Sequence, residues 1–150
     1  MRVVLQRVLE ASVRIDGRVQ SSIGAGLLIL LGVEADDNQE EADWLAGKLA
    51  RMRIFPDVDG VMNRSIQEAG GEFLVISQFT LHASTKKGNR PSYIKAARPE
   101  VAIPLYEYFL EKLWMESNRP VKAGIFGADM KVSLVNDGPV TIFMDSKRKE

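Results

Sequence analysis

The 150-residue sequence contains no cysteine and only one histidine, His82. The absence of cysteine excludes disulfide scaffolds, thiol catalysis and metal sites built on thiolates. With one histidine, a metal site would consist almost entirely of carboxylates, and a serine–histidine–aspartate triad has a single candidate base. Much familiar hydrolase chemistry is therefore disfavoured, and we expect neither a metal nor another cofactor.

The sequence also lacks a long apolar run and an excess of charge. Its longest apolar stretch, 25–33, falls well short of the roughly 20 residues that a membrane helix needs. Lys and Arg number 20 against 20 Asp and Glu, which argues against non-specific coating of nucleic acid but permits a local basic patch. The N-terminal residues read as a strand rather than a secretory signal. We expect a cytoplasmic protein without membrane association.

The residues that are present predict one domain of mixed α and β structure over 1–150. A chain of this length, 45% hydrophobic, buries a core without disulfides or metals. Alternating and unbroken apolar runs predict strands at 2–8, at 13–23 around an Asp16-Gly17 hairpin turn, at 27–31 covered on both faces, and at 73–76. Helical spacing predicts one helix over 39–53, with Asn38 as N-cap, and another that begins at Pro99 or as late as Pro104.

The C-terminal region alternates on both sides of Asn136-Asp137-Gly138-Pro139. This pattern predicts two strands about a tight loop, followed by a frayed tail over 147–150. Because an X-Pro bond is cis in only about 5–6% of cases in folded proteins, the residues alone predict a trans bond between Gly138 and Pro139.

Polar residues follow the buried strand at 73–76, in the segment Ser77-Gln78-Phe79-Thr80-Leu81. Polar groups at the end of a buried strand are where sites form. If this segment is extended, Gln78, Thr80 and His82 share one face, and Thr80 and His82 can pose as nucleophile and base. The alternative is that Thr80 bonds a backbone carbonyl and His82 caps a loop.

A basic loop follows, with Lys86, Lys87 and Arg90 in a stretch that contains glycine and proline. Such a loop can contact phosphates. The alternative is a solvated loop without a partner.

The segment 77–81 resembles the SQFTL motif of the D-aminoacyl-tRNA deacylases, and 136–141 resembles their Gly-cisPro motif. Segments 4–8, 26–33, 89–92 and 126–130 also fit that family in order and spacing, so the resemblance spans the chain. It implies a fold of α/β class: a single three-layer domain whose mixed, largely antiparallel β structure packs with two main helices. It further implies a homodimer with its site at the subunit interface.

The activity implied by the resemblance is hydrolysis of the ester that joins a D-amino acid, or glycine, to the terminal ribose of tRNA, with rejection of L-aminoacyl substrates. The catalytic segment would be Ser77, Gln78, Phe79 and Thr80. The residues for substrate binding and chiral selection would be Gly138, Pro139, Phe126, Met130 and Arg7. Lys86, Lys87 and Arg90 are the candidates for tRNA contact.

The resemblance also implies roles within these sets. The Gly138-Pro139 bond would be cis and enter the partner's pocket, with Arg7 holding the loop, while Phe126 and Met130 would line the pocket for the terminal adenosine. We favour activation by a ribose hydroxyl of the tRNA over attack by Thr80, because no evident base would deprotonate the threonine. The backbone amides near Phe79 and Thr80 are our candidate oxyanion donors.

Two other functions fit the residues alone. One is a tRNA-binding module without turnover, and the other is a hydrolase of small D-amino-acid esters. Release of the amino acid from a D-aminoacyl-tRNA, and its dependence on the tRNA, would discriminate among the three.

Overall fold

The structure is a computed structural model that describes residues 1–149. Its elements in chain order are β1 (Arg2–Ile15), β2 (Arg18–Ile23), β3 (Gly26–Gly32), α1 (Gln39–Arg51), β4 (Phe55–Pro56), β5 (Met62–Arg64), α2 (Ile66–Ala69), β6 (Glu72–Ser77), a 3₁₀ turn (Phe79–His82), α3 (Pro99–Ser117), β7 (Val121–Ala123) and β8 (Lys131–Asp145). Within the described residues, no helix has the length and apolar character needed to cross a membrane.

A mixed six-stranded sheet forms the centre of the fold. Its order is β2-β1-β3-β6-β7, with β8 paired to the other side of β1. β1 is antiparallel to β2, β3 and β8, whereas β6 runs parallel to β3 and β7. The predicted hairpin between β1 and β2 is confirmed, and Asp16 and Gly17 both have the positive φ that a two-residue hairpin turn requires. The expected mixed, largely antiparallel β structure is therefore confirmed.

The sheet curves until its two ends meet. β2 and β7 lie at opposite ends of the strand order, yet the Ser21 hydroxyl donates to the Ala123 carbonyl at 2.7 Å. Leu28 on β3 belongs to a cluster inside this curve, whereas Leu27 and Ile29 pack in the cluster beneath α1 and α3. The β3 strand is thus buried on both faces, as its unbroken apolar run predicts. The fold has three layers: the helices, the part of the sheet that contains β3 and β6, and the part of the sheet that curls back over it.

Both main helices are confirmed. The Asn38 side chain accepts a hydrogen bond from the Glu40 N–H at 2.8 Å, and the Glu41 carboxylate accepts one from the Asn38 N–H at 2.8 Å. This capping box begins α1 where the sequence predicts, although the helix ends at Arg51, two residues before the predicted end. The second helix begins at Pro99. The single-turn α2 has no counterpart among the predicted elements.

The predicted C-terminal strand pair is wrong. β8 is one strand that continues along β1 from the pair Arg14↔Lys131 to the pair Arg2↔Asp145. Between the pairs Gln6↔Thr141 and Val8↔Asn136, one residue of β1 faces four residues of β8, so 137–140 bulges from the strand edge. Alternation has the same period whether a chain turns back or continues, so the pattern could not distinguish the two.

The frayed tail is also wrong for the part that the structure describes, 147–149. The Lys147 ammonium pairs with the carboxylates of Asp36 and Asp37, and with Glu34 at 3.4 Å. Burial lowers the pKa of Lys147, but these carboxylates outweigh it and hold the pKa above its ordinary value. Glu150 lies outside the described residues.

Candidate active site

A pocket of about 270 Å³ lies at the carboxyl end of β6, between the 3₁₀ turn, α3 and the segment before β8. It is lined by Leu31, Val33, Ile76, Ser77, Gln78, Phe79, Ala97, Ala102, Tyr106, Phe126, Gly127, Ala128, Asp129, Met130 and Val132. The structure therefore brings the two candidate segments, 77–79 and 126–130, together around one cavity.

The chain does not stay extended after Ser77, so the shared face of Gln78, Thr80 and His82 is wrong. The Gln78 N–H donates to the Leu31 carbonyl at 2.7 Å, and the chain then enters the 3₁₀ turn. The first backbone bond within the turn runs from the Leu81 N–H to the Gln78 carbonyl. The N–H groups of Phe79 and Thr80 precede that bond and have no acceptor within the turn, which makes them available to a ligand.

The Thr80 hydroxyl has a different partner from the one that an extended strand would give it. The Gln78 side-chain amide donates a hydrogen bond to the Thr80 Oγ1. His82 is 1% exposed, and neither of its ring nitrogens has a hydrogen-bond partner among residues 1–149. Burial lowers the pKa of His82 and keeps the ring neutral at pH 7. The structure does not assemble Thr80 and His82 as nucleophile and base.

At two glycines beside the pocket, a side chain would collide with the residues that form it. A Cβ on Gly32 would lie 2.9 Å from the Gln78 carbonyl oxygen, so glycine allows the 3₁₀ turn to pack against the end of β3. A Cβ on Gly124 would lie 2.4 Å from the Met130 Sδ. The absence of a side chain at Gly124 therefore lets the Met130 thioether reach the pocket wall.

Tyr106, on α3, is a pocket residue that the sequence reasoning missed. Its hydroxyl donates to the Val75 carbonyl at 3.0 Å, and its ring packs edge to face on Phe126, with centroids 5.9 Å apart. Burial raises the pKa of Tyr106 to about 12, so it is a neutral donor at physiological pH. Its position one residue after Leu105 in the helical pattern was the available signal, but that pattern describes core residues and pocket residues alike.

The Gly138-Pro139 segment lies on the β8 bulge, and its peptide bond is cis. The Arg7 Nε donates to the Asp137 carbonyl at 3.0 Å, and the Arg7 Nη1 donates to the Ile54 carbonyl at 2.6 Å. Arg7 therefore braces the bulge from inside the fold. Gly138 and Pro139 are both exposed, and within residues 1–149 neither lines the pocket of its own chain.

The basic loop is fixed at its base beside the pocket. Ser84 and Ser92 exchange backbone hydrogen bonds of 2.8 and 2.9 Å, and Tyr93 packs edge to face on Phe79 with centroids 5.1 Å apart. The three cations lie on the exposed part of this loop, at Lys86, Lys87 and Arg90.

Together, the curved sheet, the largely apolar pocket and the unbonded amides of the adjoining 3₁₀ turn define a small α/β protein whose site suits acyl chemistry carried by backbone donors. Comparison with known protein families identifies the family to which this chain belongs. The chain belongs to the D-Tyr-tRNA(Tyr) deacylase family, whose model matches residues 4–145.

Similar proteins agree with that membership. The D-aminoacyl-tRNA deacylases of Parabacteroides distasonis and Bacteroides thetaiotaomicron are 61% and 63% identical to this chain over 150 residues, covering 100% of both chains in each case. A solved structure described as "c-Myc DNA Unwinding Element Binding Protein" is 39% identical, with a TM-score of 0.90 over 97% of this chain and 98% of that one. Another, of a probable eukaryotic D-amino acid tRNA deacylase, shares the fold at 17% identity, with a TM-score of 0.81 over 95% of this chain and 97% of that one.

Proposed function

We propose that this enzyme hydrolyses the ester of D-aminoacyl-tRNA and releases the free D-amino acid and the tRNA. The observation that carries the proposal is the convergence of 77–79 and 126–130 on one pocket, with the unbonded N–H groups of Phe79, which lines the pocket, and of Thr80, the next residue in the turn. Full-length relatives that are 61% and 63% identical and named D-aminoacyl-tRNA deacylase support the same reaction.

The proposed reaction relies mainly on backbone N–H groups and not on catalytic side chains. A water oxygen attacks the ester carbonyl carbon, the bond to the ribose oxygen breaks, and the ribose oxygen takes up a proton. The N–H groups of Phe79 and Thr80 donate to the oxyanion of the tetrahedral intermediate, and a well-aimed donor of this kind contributes about 3–4 kcal/mol. Thr80 has no base beside it to deprotonate its hydroxyl, so Thr80 is not the nucleophile. A ribose hydroxyl of the tRNA orients the attacking water instead. Ser77 and Gln78 complete the catalytic segment, with Gln78 holding the Thr80 hydroxyl.

The terminal adenosine occupies the apolar pocket. Phe126 and Met130 form part of its wall, and Tyr106, which also lines the pocket, packs edge to face against the Phe126 ring. A volume of about 270 Å³ lies just below the usual range of small-molecule sites, about 300–1,000 Å³, so the pocket is proposed to take a single nucleoside and not a longer stretch of tRNA.

Chiral selection uses a second copy of the chain. In the proposed homodimer, the exposed Gly138-Pro139 segment of each chain enters the partner's pocket, where backbone carbonyls receive the substrate's α-amino group. An L side chain would collide with this backbone, whereas a D side chain points away from it, and glycine carries no side chain to exclude. The pocket therefore rejects L-aminoacyl-tRNA by steric clash and also accepts glycyl-tRNA.

The basic loop contacts the tRNA. Lys86, Lys87 and Arg90 project from a loop whose base is tied to Phe79 through Tyr93, so a tRNA whose 3′ end enters the pocket passes close to them. The proposed reaction proceeds in the cytoplasm, where tRNA is charged.

The deciding experiment incubates the purified protein with D-tyrosyl-tRNA, L-tyrosyl-tRNA and D-tyrosine methyl ester. We expect rapid release of D-tyrosine from the first substrate alone. Protection of the D-tyrosyl ester would instead indicate a binding module, and equal cleavage of the methyl ester would indicate a hydrolase of small esters.

The variant Gly138→Ala tests the selecting loop. Gly138 has φ +143°, and a Cβ there would lie 2.8 Å from the Val140 Cγ2 and 2.9 Å from its backbone nitrogen, so the loop must shift. We expect a lower rate on D-tyrosyl-tRNA. Gly60→Ala is the matched control, because Gly60 also has a positive φ, +79°, but faces open space. Equal activity of the two variants would contradict a role for the Gly138 backbone.

A further inference from the structure

The 3₁₀ turn of the candidate site rests on a side chain that lies in neither motif. Arg2, the first residue of β1, donates from its Nη1 to the Leu81 carbonyl oxygen at 2.9 Å. Leu81 directly follows Thr80 in the turn. The N–H groups of Leu81 and Ala83 donate to the carbonyls of Gln78 and Thr80, respectively. These bonds do not involve the Leu81 carbonyl, which accepts its hydrogen bond from Arg2.

Arg2 is itself held in place by the opposite strand. It pairs in register with Asp145 on β8, and its Nε donates to the Asp145 Oδ2 at 2.9 Å. The Lys147 N–H donates to the other carboxylate oxygen at 3.0 Å. Burial raises the pKa of Asp145, but these hydrogen bonds outweigh it and hold the pKa below its ordinary value. The carboxylate is therefore charged at neutral pH and fixes the guanidinium.

A second hydrogen-bonded support of the turn comes from β3. The Gln78 N–H bonds the Leu31 carbonyl, and the turn packs closely against Gly32. The turn thus lies between a backbone support on β3 and a side-chain support from Arg2. Removal of Arg2 leaves the Leu81 end of the turn without its hydrogen bond to β1.

We propose that Arg2 is a positioning residue for the deacylation reaction, because it holds the 3₁₀ turn so that the N–H groups of Phe79 and Thr80 meet the developing oxyanion. This inference rests on the proposed function. A misplacement of about 1 Å can cost roughly 100-fold in rate. The oxyanion exists only after attack on the ester, so loss of Arg2 lowers kcat and leaves the KM for the tRNA nearly unchanged.

The kinetic test compares Arg2→Met with Arg14→Met, a matched control on the exposed part of the same strand. With D-tyrosyl-tRNA as substrate, we expect Arg2→Met to lower kcat roughly 10- to 100-fold with KM within about threefold, and Arg14→Met to change neither. Arg2→Lys keeps one ammonium for two acceptors, so its kcat falls between those of the wild type and Arg2→Met. A kcat within twofold of the wild-type value for Arg2→Met would overturn the proposal.

Two further measurements separate positioning from general stability. Titration with a D-tyrosyl-adenosine analogue whose ester is replaced by an amide counts intact sites, and we expect one per chain in Arg2→Met. A loss of sites that matches the loss of kcat would mean that Arg2 only stabilises the fold, and would overturn the proposal. Asp145→Asn keeps Arg2 but weakens its anchor, so it should lower kcat less than Arg2→Met does.

Hydrogen exchange gives a readout that does not need activity. In Arg2→Met, we expect the hydrogen-bonded amides of Gln78, Leu81 and Ala83 to exchange about tenfold faster than in the wild type or Arg14→Met, because the turn opens more often. Unchanged exchange would overturn the role of Arg2 even in an active enzyme. A wild-type protein that fails to cleave D-tyrosyl-tRNA but shows this Arg2-dependent protection would overturn the proposed function alone.

Discussion

Tyr106 offers a test of how the pocket wall is stabilised, because its hydroxyl makes a hydrogen bond and its ring makes a separate packing contact with Phe126. The hydroxyl donates to the Val75 carbonyl, which also accepts the Gly124 N–H at 3.2 Å. In Tyr106→Phe that carbonyl keeps a donor, so the cost is that of one ordinary hydrogen bond, about 1 kcal/mol. The ring of Tyr106 is 4% exposed, and Tyr106→Ala removes it and leaves a cavity. We expect a cost of about 3–5 kcal/mol, with a further 0.5–1.5 kcal/mol or so for the lost contact with Phe126.

Urea denaturation measures both costs. For a domain with a denaturant dependence of about 2 kcal/mol per molar, Tyr106→Phe should lower the midpoint by about 0.5 M, and Tyr106→Ala by more than about 1.5 M. Deacylation kinetics should separate the variants in the same order. The KM for D-aminoacyl-tRNA should stay near the wild-type value in Tyr106→Phe and rise in Tyr106→Ala, where Phe126 loses its support.

Tyr108→Phe is the control on the same helix, because the Tyr108 hydroxyl donates to Asp43 at 2.7 Å outside the pocket. It should reduce stability without changing KM. Equal destabilisation by Tyr106→Phe and Tyr106→Ala would refute the larger contribution to the free energy of unfolding that we assign to the ring. An unchanged KM in Tyr106→Ala would refute the support that we assign to the Phe126 wall.

Three further predictions concern the chemistry, the tRNA contact and the effect of pH. Thr80→Ala should retain substantial deacylation, whereas a 3′-acylated tRNA that lacks the terminal 2′-hydroxyl should not turn over; a loss of several orders of magnitude in Thr80→Ala with the fold intact would favour Thr80 as nucleophile. Neutralising the cations of the basic loop at 86–90 should reduce the log–log salt slope of tRNA binding by about 0.7–0.9 per lost phosphate contact, and an unchanged slope with normal activity would leave the loop without a partner. Because burial lowers the pKa of His82 in the folded state, the unfolded chain binds the proton first as the pH falls below about 6.5, so stability decreases there by up to about 1.4 kcal/mol per pH unit. Denaturation between pH 7.5 and 5.5 should show this decrease in the wild type and not in His82→Gln, and identical slopes would contradict a neutral buried His82.

The elements that the sequence predicts correctly are those in which local chemistry and burial agree. Asn38 and Glu41 define a helix start from side chains three residues apart, and the unbroken run 27–31 requires cover on both faces of its strand. A buried strand that becomes polar must reach a surface or a cavity, and the structure has a pocket where the polar segment follows 73–76. In each case the signal lies within a few residues of the feature that it predicts.

The misses arise where the deciding contact is distant in sequence. Gln78 turns the chain because its N–H finds the Leu31 carbonyl and because Gly32 leaves room, and neither partner is visible from the motif itself. His82 is buried by the same turn, which removes the base that an extended strand would have placed beside Thr80. Motif spacing therefore predicted two segments that the structure brings to one pocket, while their arrangement depended on contacts with β3.

The first strand links the two motifs that sequence reasoning treated separately. Arg2 and Arg7 both lie on β1, and side chains an odd number of residues apart point to opposite faces of a strand. Arg2 supports the 3₁₀ turn of its own chain, whereas Arg7 supports the Gly138 bulge, which in the proposed dimer serves the other chain's pocket. Each pocket would then depend on Arg2 from one chain and Arg7 from the other. A mixed dimer of Arg2→Met and Arg7→Met chains would consequently contain one pocket with both defects and one with neither, so mixing the two weak variants should raise the activity above that of either variant alone.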